Sequence, residues 1–255
     1  VCLIVFDYHP DSRQLLRLAA NRDEFYRRPS QMAHRWEEAP HLLAGRDIEK
    51  GGTWLGVSEQ GHFAAVTNFR EVPAREAPRS RGRLTAEFLK GELGALDYLR
   101  QLEPEADQYP GFNLLLGDPQ GLFYFSNREN RIRRLAAGRY GLSNHLLDTP
   151  WPKLVAAKQR LDGAHNHSRL QQLLRDPAKP EDAALPDTGI GLGWERLLSS
   201  CFIESEHYGT RTATSLIIEA NGQTSLQEQH FGSRGIALDS NHHSLRFERP
   251  WQHDA

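Results

Sequence analysis

The chain has little cysteine, little lysine and no long apolar run, and each shortage removes a class of protein. Two cysteines, Cys2 and Cys201, cannot build a disulfide framework in 255 residues. No Cys-x-x-Cys pair exists to hold zinc, and His207 and the His242-His243 pair lack a trustworthy ligand spacing. No stretch approaches the roughly 20 apolar residues of a spanning helix, so no transmembrane segment is expected. The first apolar run stops at Asp7, without a basic flank or a small-residue cleavage site, and does not read as a signal peptide. A net charge of -2 leaves no footprint for nucleic acid. Basic amphipathic helices, lipidation signals, internal repeats and low-complexity tracts are missing too. Lysine occurs only at 50, 90, 153, 158 and 179, so most of the 31 basic residues are arginines, whose charge is permanent and forked. The expectation is a soluble, cytoplasmic protein with one domain over residues 1–255.

What is present begins with Val1-Cys2-Leu3-Ile4-Val5-Phe6, an apolar run that predicts a strand buried on both faces. Translation starts with methionine, so Val1 reads as a GUG start rendered literally. A methionine there is readily clipped before a small residue, which would make Cys2 the mature amino terminus. His9-Pro10-Asp11 turns this strand into a second over Gln14 to Ala20. Arg27 to Pro40 reads as an ordered loop. Gly51 to Val57 and Phe63 to Thr67 form a hairpin, and Glu71 to Arg83, rich in proline and arginine, a mobile loop. Leu84, Phe88 and Leu89, then Leu96, Leu99 and Leu102, repeat at helical spacing.

Strands over Asn113 to Gly117, Leu122 to Ser126, Arg131 to Leu135 and Arg139 to Ser143 read as an antiparallel meander. Thr149 and Pro150 have the form of a helix start, with the helix reaching about Asp162. A second helix covers Leu170 to Leu174, and Trp194 to Leu198 makes a helical turn after the Pro/Gly-rich connection from Asp176 to Gly193. Thr212 to Glu219 and Thr224 to Gln229 flank Ala220-Asn221-Gly222, a strong hairpin signal, and His243 to Glu248 closes the chain. Many antiparallel strands with two inserted groups of helices give an α+β fold, sheets covered by helices.

Four polar clusters sit at strand ends: Asn21-Arg22-Asp23-Glu24, Thr67-Asn68, Gly141-Leu142-Ser143-Asn144 and Tyr208-Gly209-Thr210-Arg211-Thr212. Each alone is an ordinary solvated turn, and Cys2 alone is an ordinary buried strand thiol. Joined to a terminal Cys2 they suit acyl transfer. The thiol is the nucleophile, and the α-amine of the same residue, with an ordinary pKa of about 8, is the proton acceptor. Asp23 can hold the amine, Arg22 favours thiolate, and amides at Asn144 and Asn68 can bind an oxyanion.

These stretches, with Gly51-Gly52-Thr53-Trp54-Leu55-Gly56 and Thr149-Pro150-Trp151, resemble the NRDE family, the family of Transport and Golgi organization protein 2. The resemblance runs from Cys2 to about the last strand and implies a branch of the N-terminal nucleophile hydrolases with a four-layer αββα sandwich of two mainly antiparallel sheets. The motif order is similar to that of bile-salt hydrolase and penicillin V acylase. That likeness implies Cys2 as nucleophile, Arg22 and Asp23 as its orienting pair, Asn68 and Asn144 as oxyanion donors and Arg211 as a late active-site arginine. Two residues separate arginine from aspartate in those acylases; here they are adjacent, which leaves Asn21 or Glu24 open to take one of the roles. Asn21, Glu24, Trp54, Tyr208 and Thr210 are expected to face the substrate.

The function this implies is a cofactor-free amidohydrolase or acyltransferase for a small amide or thioester. The alternative is a carrier of haem or acyl-CoA that keeps the pocket without turnover, with the arginine-rich stretch from Arg75 to Arg83 offering charge to the ligand.

Overall fold

The first strand, β1 (Cys2–Tyr8), returns as expected through β2 (Gln14–Phe25), which runs five residues past Ala20 and so carries the charged tetrad inside a strand. This is a computed structural model, and it describes residues 2–73 and 77–251. The remaining strands are β3 (Ser30–Trp36), β4 (Ala39–Asp47), β5 (Leu55–Ser58), β6 (Phe63–Asn68), β7 (Phe112–Asp118), β8 (Gly121–Ser126), β9 (Arg131–Arg134), β10 (Gly138–Leu142), β11 (Tyr208–Glu219), β12 (Gln223–Phe231) and β13 (Ala237–Arg246). The helices are α1 (Arg81–Lys90), α2 (Ala95–Leu102), α3 (Pro152–Gln159), α4 (His167–Leu173) and α5 (Leu192–Leu197). One sheet has the order β10-β1-β2-β11-β12-β13 and the other β3-β4-β5-β6-β7-β8-β9.

Every pairing is antiparallel. Period-two alternation along β1 explains the layers. Ile4 and Phe6 face the second sheet and pack among Leu18, Leu55, Leu115 and Tyr124. Leu3 and Val5 face the other way, under Leu154, Leu161 and Leu170. On the far side of the second sheet, Leu84, Phe88 and Leu99 cover Ala64, Leu114 and Phe125. The result is the four-layer αββα sandwich. Each fully buried Leu or Phe contributes roughly 1.5–3 kcal/mol of burial free energy.

Several expectations need correction. Arg27 to Pro40 is no loop: it holds β3 and the start of β4, at one edge of the seven-stranded sheet. The expected four-strand meander stops at β9, because β10 crosses to the other sheet and pairs with β1, where Tyr140 stacks on Phe6 with ring centroids 5.3 Å apart. Helix α3 opens at Pro152, not Pro150. Trp151 is its N-cap, and the Thr149 hydroxyl donates to the Leu146 carbonyl, 2.8 Å away, instead of capping. It also stops at Gln159, short of Asp162. The stretch from Glu71 ends when α1 starts at Arg81; part of it, including Arg75, lies outside the described residues. β13 starts six residues before His243.

Candidate active site

The strand registers assemble the site. Cys2 pairs with Arg22, and Arg22 pairs in turn with Thr212, so the thiol-bearing end of β1, one strand in from the sheet edge, has Arg22 beside it on the same face. Directly opposed antiparallel residues have Cα atoms about 4.5–5.5 Å apart. The Ser143 hydroxyl donates to the Cys2 carbonyl at 3.3 Å and ties the end of β1 to the residue after β10. Cys2, Arg22, Asp23, Glu24, Trp54 and Asn68 all line one pocket of about 360 Å³, within the usual size of a small-molecule site.

Arg22 is 6% exposed, and its guanidinium lies over the Trp54 ring, 4.4 Å from the centroid. Its Nη2 donates to Asp47 Oδ2 at 3.2 Å, an oxygen that Arg28 Nε also reaches at 2.8 Å. Arg28 in turn stands 3.5 Å from Glu24. Arg28 and Asp47, both lining the pocket, escaped the sequence reading. Nothing local marks them, since the first sits in the stretch taken for a loop and the second at the end of β4.

Asp23 is buried, with the Thr210 hydroxyl donating to its Oδ1 at 2.7 Å and the Tyr208 hydroxyl donating to its carbonyl at 3.2 Å. Burial pushes its carboxyl up, against the pull of the Lys153 ammonium and of the Thr210 bond. Lys153, a third residue the sequence reading missed, is pushed down to about 8 by its own burial and donates to the Leu198 carbonyl at 2.7 Å. Cys2 keeps partial exposure at the pocket, yet the protein packed round its sulfur pushes the thiol up, and Arg22 opposes this.

The other expected site residues stand behind the pocket wall. Asn21 faces the helix layer, where its Nδ2 donates to the carbonyls of Cys201 at 2.8 Å and Leu174 at 3.1 Å; it does not turn toward Cys2's face. Asn144, 1% exposed, donates to the Asn68 carbonyl at 3.0 Å and so supports the residue that lines the pocket. Tyr208 and Thr210 hold Asp23. Arg211 is the extra residue of a bulge between Thr210 and Thr212, and its Nη1 fastens the carbonyls of Phe25, at 3.0 Å, and Arg28, at 2.7 Å.

The Gly52-Thr53-Trp54 segment brings the start of α1 to the pocket. The Thr53 amide donates to the Gly82 carbonyl at 3.1 Å, and the Thr85 hydroxyl donates to the Thr53 carbonyl at 2.5 Å. A Cβ on Gly52 would lie 2.3 Å from the Gly82 backbone, so only glycine allows that approach.

Residues 1–233 match the family model described as Transport and Golgi organisation 2. The chain belongs to that family. Among its relatives, the Transport and Golgi organization protein 2 homolog of Bos taurus is 36% identical, over 97% of this chain and 100% of the relative. The Homo sapiens homolog is 38% identical over 93% of this chain and 95% of its own, and the Drosophila melanogaster protein 28% over 90% and 92%. Among solved structures, a Caenorhabditis elegans N-acylethanolamine-hydrolyzing acid amidase ortholog superposes with a TM-score of 0.50 at 9% identity, over 85% of this chain and 92% of that one. At that identity the likeness shows the fold, that of the N-terminal nucleophile hydrolases. This member of the Transport and Golgi organisation 2 family therefore carries its pocket where β1 begins.

Proposed function

We propose that this protein is an N-terminal-cysteine amidohydrolase or acyltransferase acting on a small amide or thioester. The observation that carries the reading is Cys2 at the start of the inner strand β1, lining a pocket with Arg22, Asp23 and Asn68. The hydrolase fold supports it, and the amide-cleaving activity in the neighbour's name agrees with it.

The reading requires Cys2 to be the mature terminus. Its sulfur then attacks the substrate carbonyl and its α-amine takes the thiol proton. The C–S bond forms, the carbonyl pair moves to oxygen, and the Asn68 side-chain amide meets the oxyanion. Collapse breaks the C–N or C–S bond, and the proton leaves with the amine or thiol. Water, or an acceptor nucleophile, releases the acyl group from Cys2. Arg22 steadies the thiolate, Asp23 holds the amine, and Asn144, Thr210 and Tyr208 fix the geometry from behind.

The test combines terminal mass spectrometry with turnover. Active protein is expected to begin at Cys2, to label at Cys2 before Cys201, and to lose hydrolysis of an amide and thioester panel in Cys2→Ala. Active protein with an intact residue ahead of Cys2 overturns the reading.

A second reading draws on the raised Cys2 thiol, which lowers the thiolate fraction at neutral pH. It is a haem or acyl-CoA carrier without turnover. Titration of wild type and Cys2→Ala with both ligands separates the two, since unchanged binding with no hydrolysis favours the carrier.

A further inference from the structure

The pocket holds more positive charge than its own carboxylates use. Asp47 is engaged by Arg22 Nη2 and Arg28 Nε, and Glu24 stands by Arg28. Arg22 Nη1 has no partner among the described residues, although the residue is 6% exposed and lines the pocket. Leaving a guanidinium N–H buried and unpaired is costly unless a ligand completes it.

A second feature points to the same ligand. The ten-residue helix α1 begins at the pocket, where Ser80, Arg81 and Gly82 form part of the lining, and the Ser80 side chain makes no capping bond. The first amides of a helix have no intrahelical partner and carry the positive end of its dipole. Arg81 adds its own charge. Its Nε donates to the Gly111 carbonyl at 2.8 Å, and it has no carboxylate within salt-bridge distance among the described residues. Burial pushes it down to about 10, which still leaves it charged at neutral pH; the Glu71 carboxylate and then the Cys2 thiolate favour its charged form, and Arg128 opposes it.

We propose that Arg22 Nη1, Arg81 and the amino end of α1 form an oxyanion subsite beside Cys2, so that the substrate carries a carboxylate or phosphate near its scissile acyl group. This rests on the proposed hydrolase reading and names its substrate class. A helix N-terminus with an arginine suits either anion, because both present oxygens to N–H donors.

Iodoacetate and iodoacetamide are nearly isosteric thiol reagents that differ by one negative charge. Their rates at Cys2 are measured by peptide mass spectrometry on the full chain, with free cysteine as reference. The acetate-to-acetamide ratio at Cys2 is expected to exceed that of free cysteine by about tenfold, equivalent to about 1.4 kcal/mol. Arg81→Gln brings it back toward free cysteine, Arg81→Lys keeps most of it, and Arg100→Gln, outside the pocket, leaves it unchanged. Inorganic phosphate and acetate are the competitors: protection by phosphate alone assigns a phosphate, protection by acetate alone assigns a carboxylate, and protection by neither overturns the subsite.

If iodoacetamide labels Cys2 but the ratio equals that of free cysteine, the subsite is overturned and the nucleophile stands. If Cys2 resists both reagents, the nucleophile reading fails. Calorimetric titration with inorganic phosphate then decides the subsite: binding weakened about fivefold by Arg81→Gln upholds it, and absence of binding overturns it.

Discussion

At the scale of single residues, two adjacent glycines do different work. Gly51 has φ of +71° with open space around it, so a side chain there is disfavoured by backbone conformation alone. Gly52 has no such constraint, but its Cβ would press on the Gly82 backbone, at the first turn of α1. Gly52→Ala is therefore expected to destabilise the protein by about 1–3 kcal/mol through forced backbone displacement, read as a lower urea midpoint. It should also disturb labelling of Cys2, because the displaced turn lines the pocket. Gly51→Ala should lower the midpoint while leaving labelling as in wild type.

At the scale of elements, an imidazole helps to seat α4 on the six-stranded sheet, beside the bonds of Gln171 to the Ala213 and Gln227 carbonyls. His167 Nδ1 is 2.7 Å from the Ser215 hydroxyl on β11, and its Nε2 is 2.8 Å from the Ser225 hydroxyl on β12. Burial, with His242 nearby, pushes His167 down to about 4 from an ordinary value near 6.5. Between these two values the unfolded chain binds the proton and the folded chain does not, so stability falls as pH drops from about 6.5 to about 4. Above about 6.5 the imidazole is neutral in both states, and this dependence vanishes. Denaturant midpoints across pH 4 to 7 are expected to show a shallower acid-side loss in His167→Gln than in wild type. An unchanged slope would remove His167 as the cause.

Legibility in the sequence also varied by element. The β1–β2 hairpin was readable because Leu3 to Phe6 is an unbroken apolar run followed by His9-Pro10-Asp11. β3 was not, because it is a sheet edge with mostly polar residues, and its pairing with β4 slips between Gln31 and His34 and again before Trp36, which erases period-two alternation. The first six residues of β13, from Ala237 to His242, hid in the same way, on a largely exposed edge. The partner of β10 depends on Tyr140 meeting Phe6, more than a hundred residues away, and no window of sequence contains that pair. In the site, Cys2, Arg22, Asp23, Glu24, Trp54 and Asn68 could be named from their motifs. The inward or outward direction of Asn21 and Asn144 could not, since it follows from strand register and packing.

At the scale of the whole molecule, the two sheets are tied along one side by a buried carboxylate. Glu228 of β12, 1% exposed, accepts from the Ala33 amide of β3 at 2.6 Å and from the Thr214 hydroxyl at 3.2 Å. Asn241 of β13 donates to the Ala33 carbonyl at 2.7 Å. Glu228→Ala strands the Ala33 amide and is expected to remove about 1–3 kcal/mol of stability. Faster hydrogen exchange at Ala33 than in wild type is the local readout; exchange unchanged there would mean that Glu228 does not join the sheets.

The stacking of Arg22 on Trp54 also makes the protein its own optical instrument. Indole emission responds to a cation held against the ring, and Trp54 lines the pocket with that cation. Trp36, Trp151, Trp194 and Trp251 are absent from its lining. The spectrum of wild type minus that of Trp54→Phe isolates this one fluorophore, so any molecule that draws the guanidinium aside announces its arrival as a colour shift without being labelled.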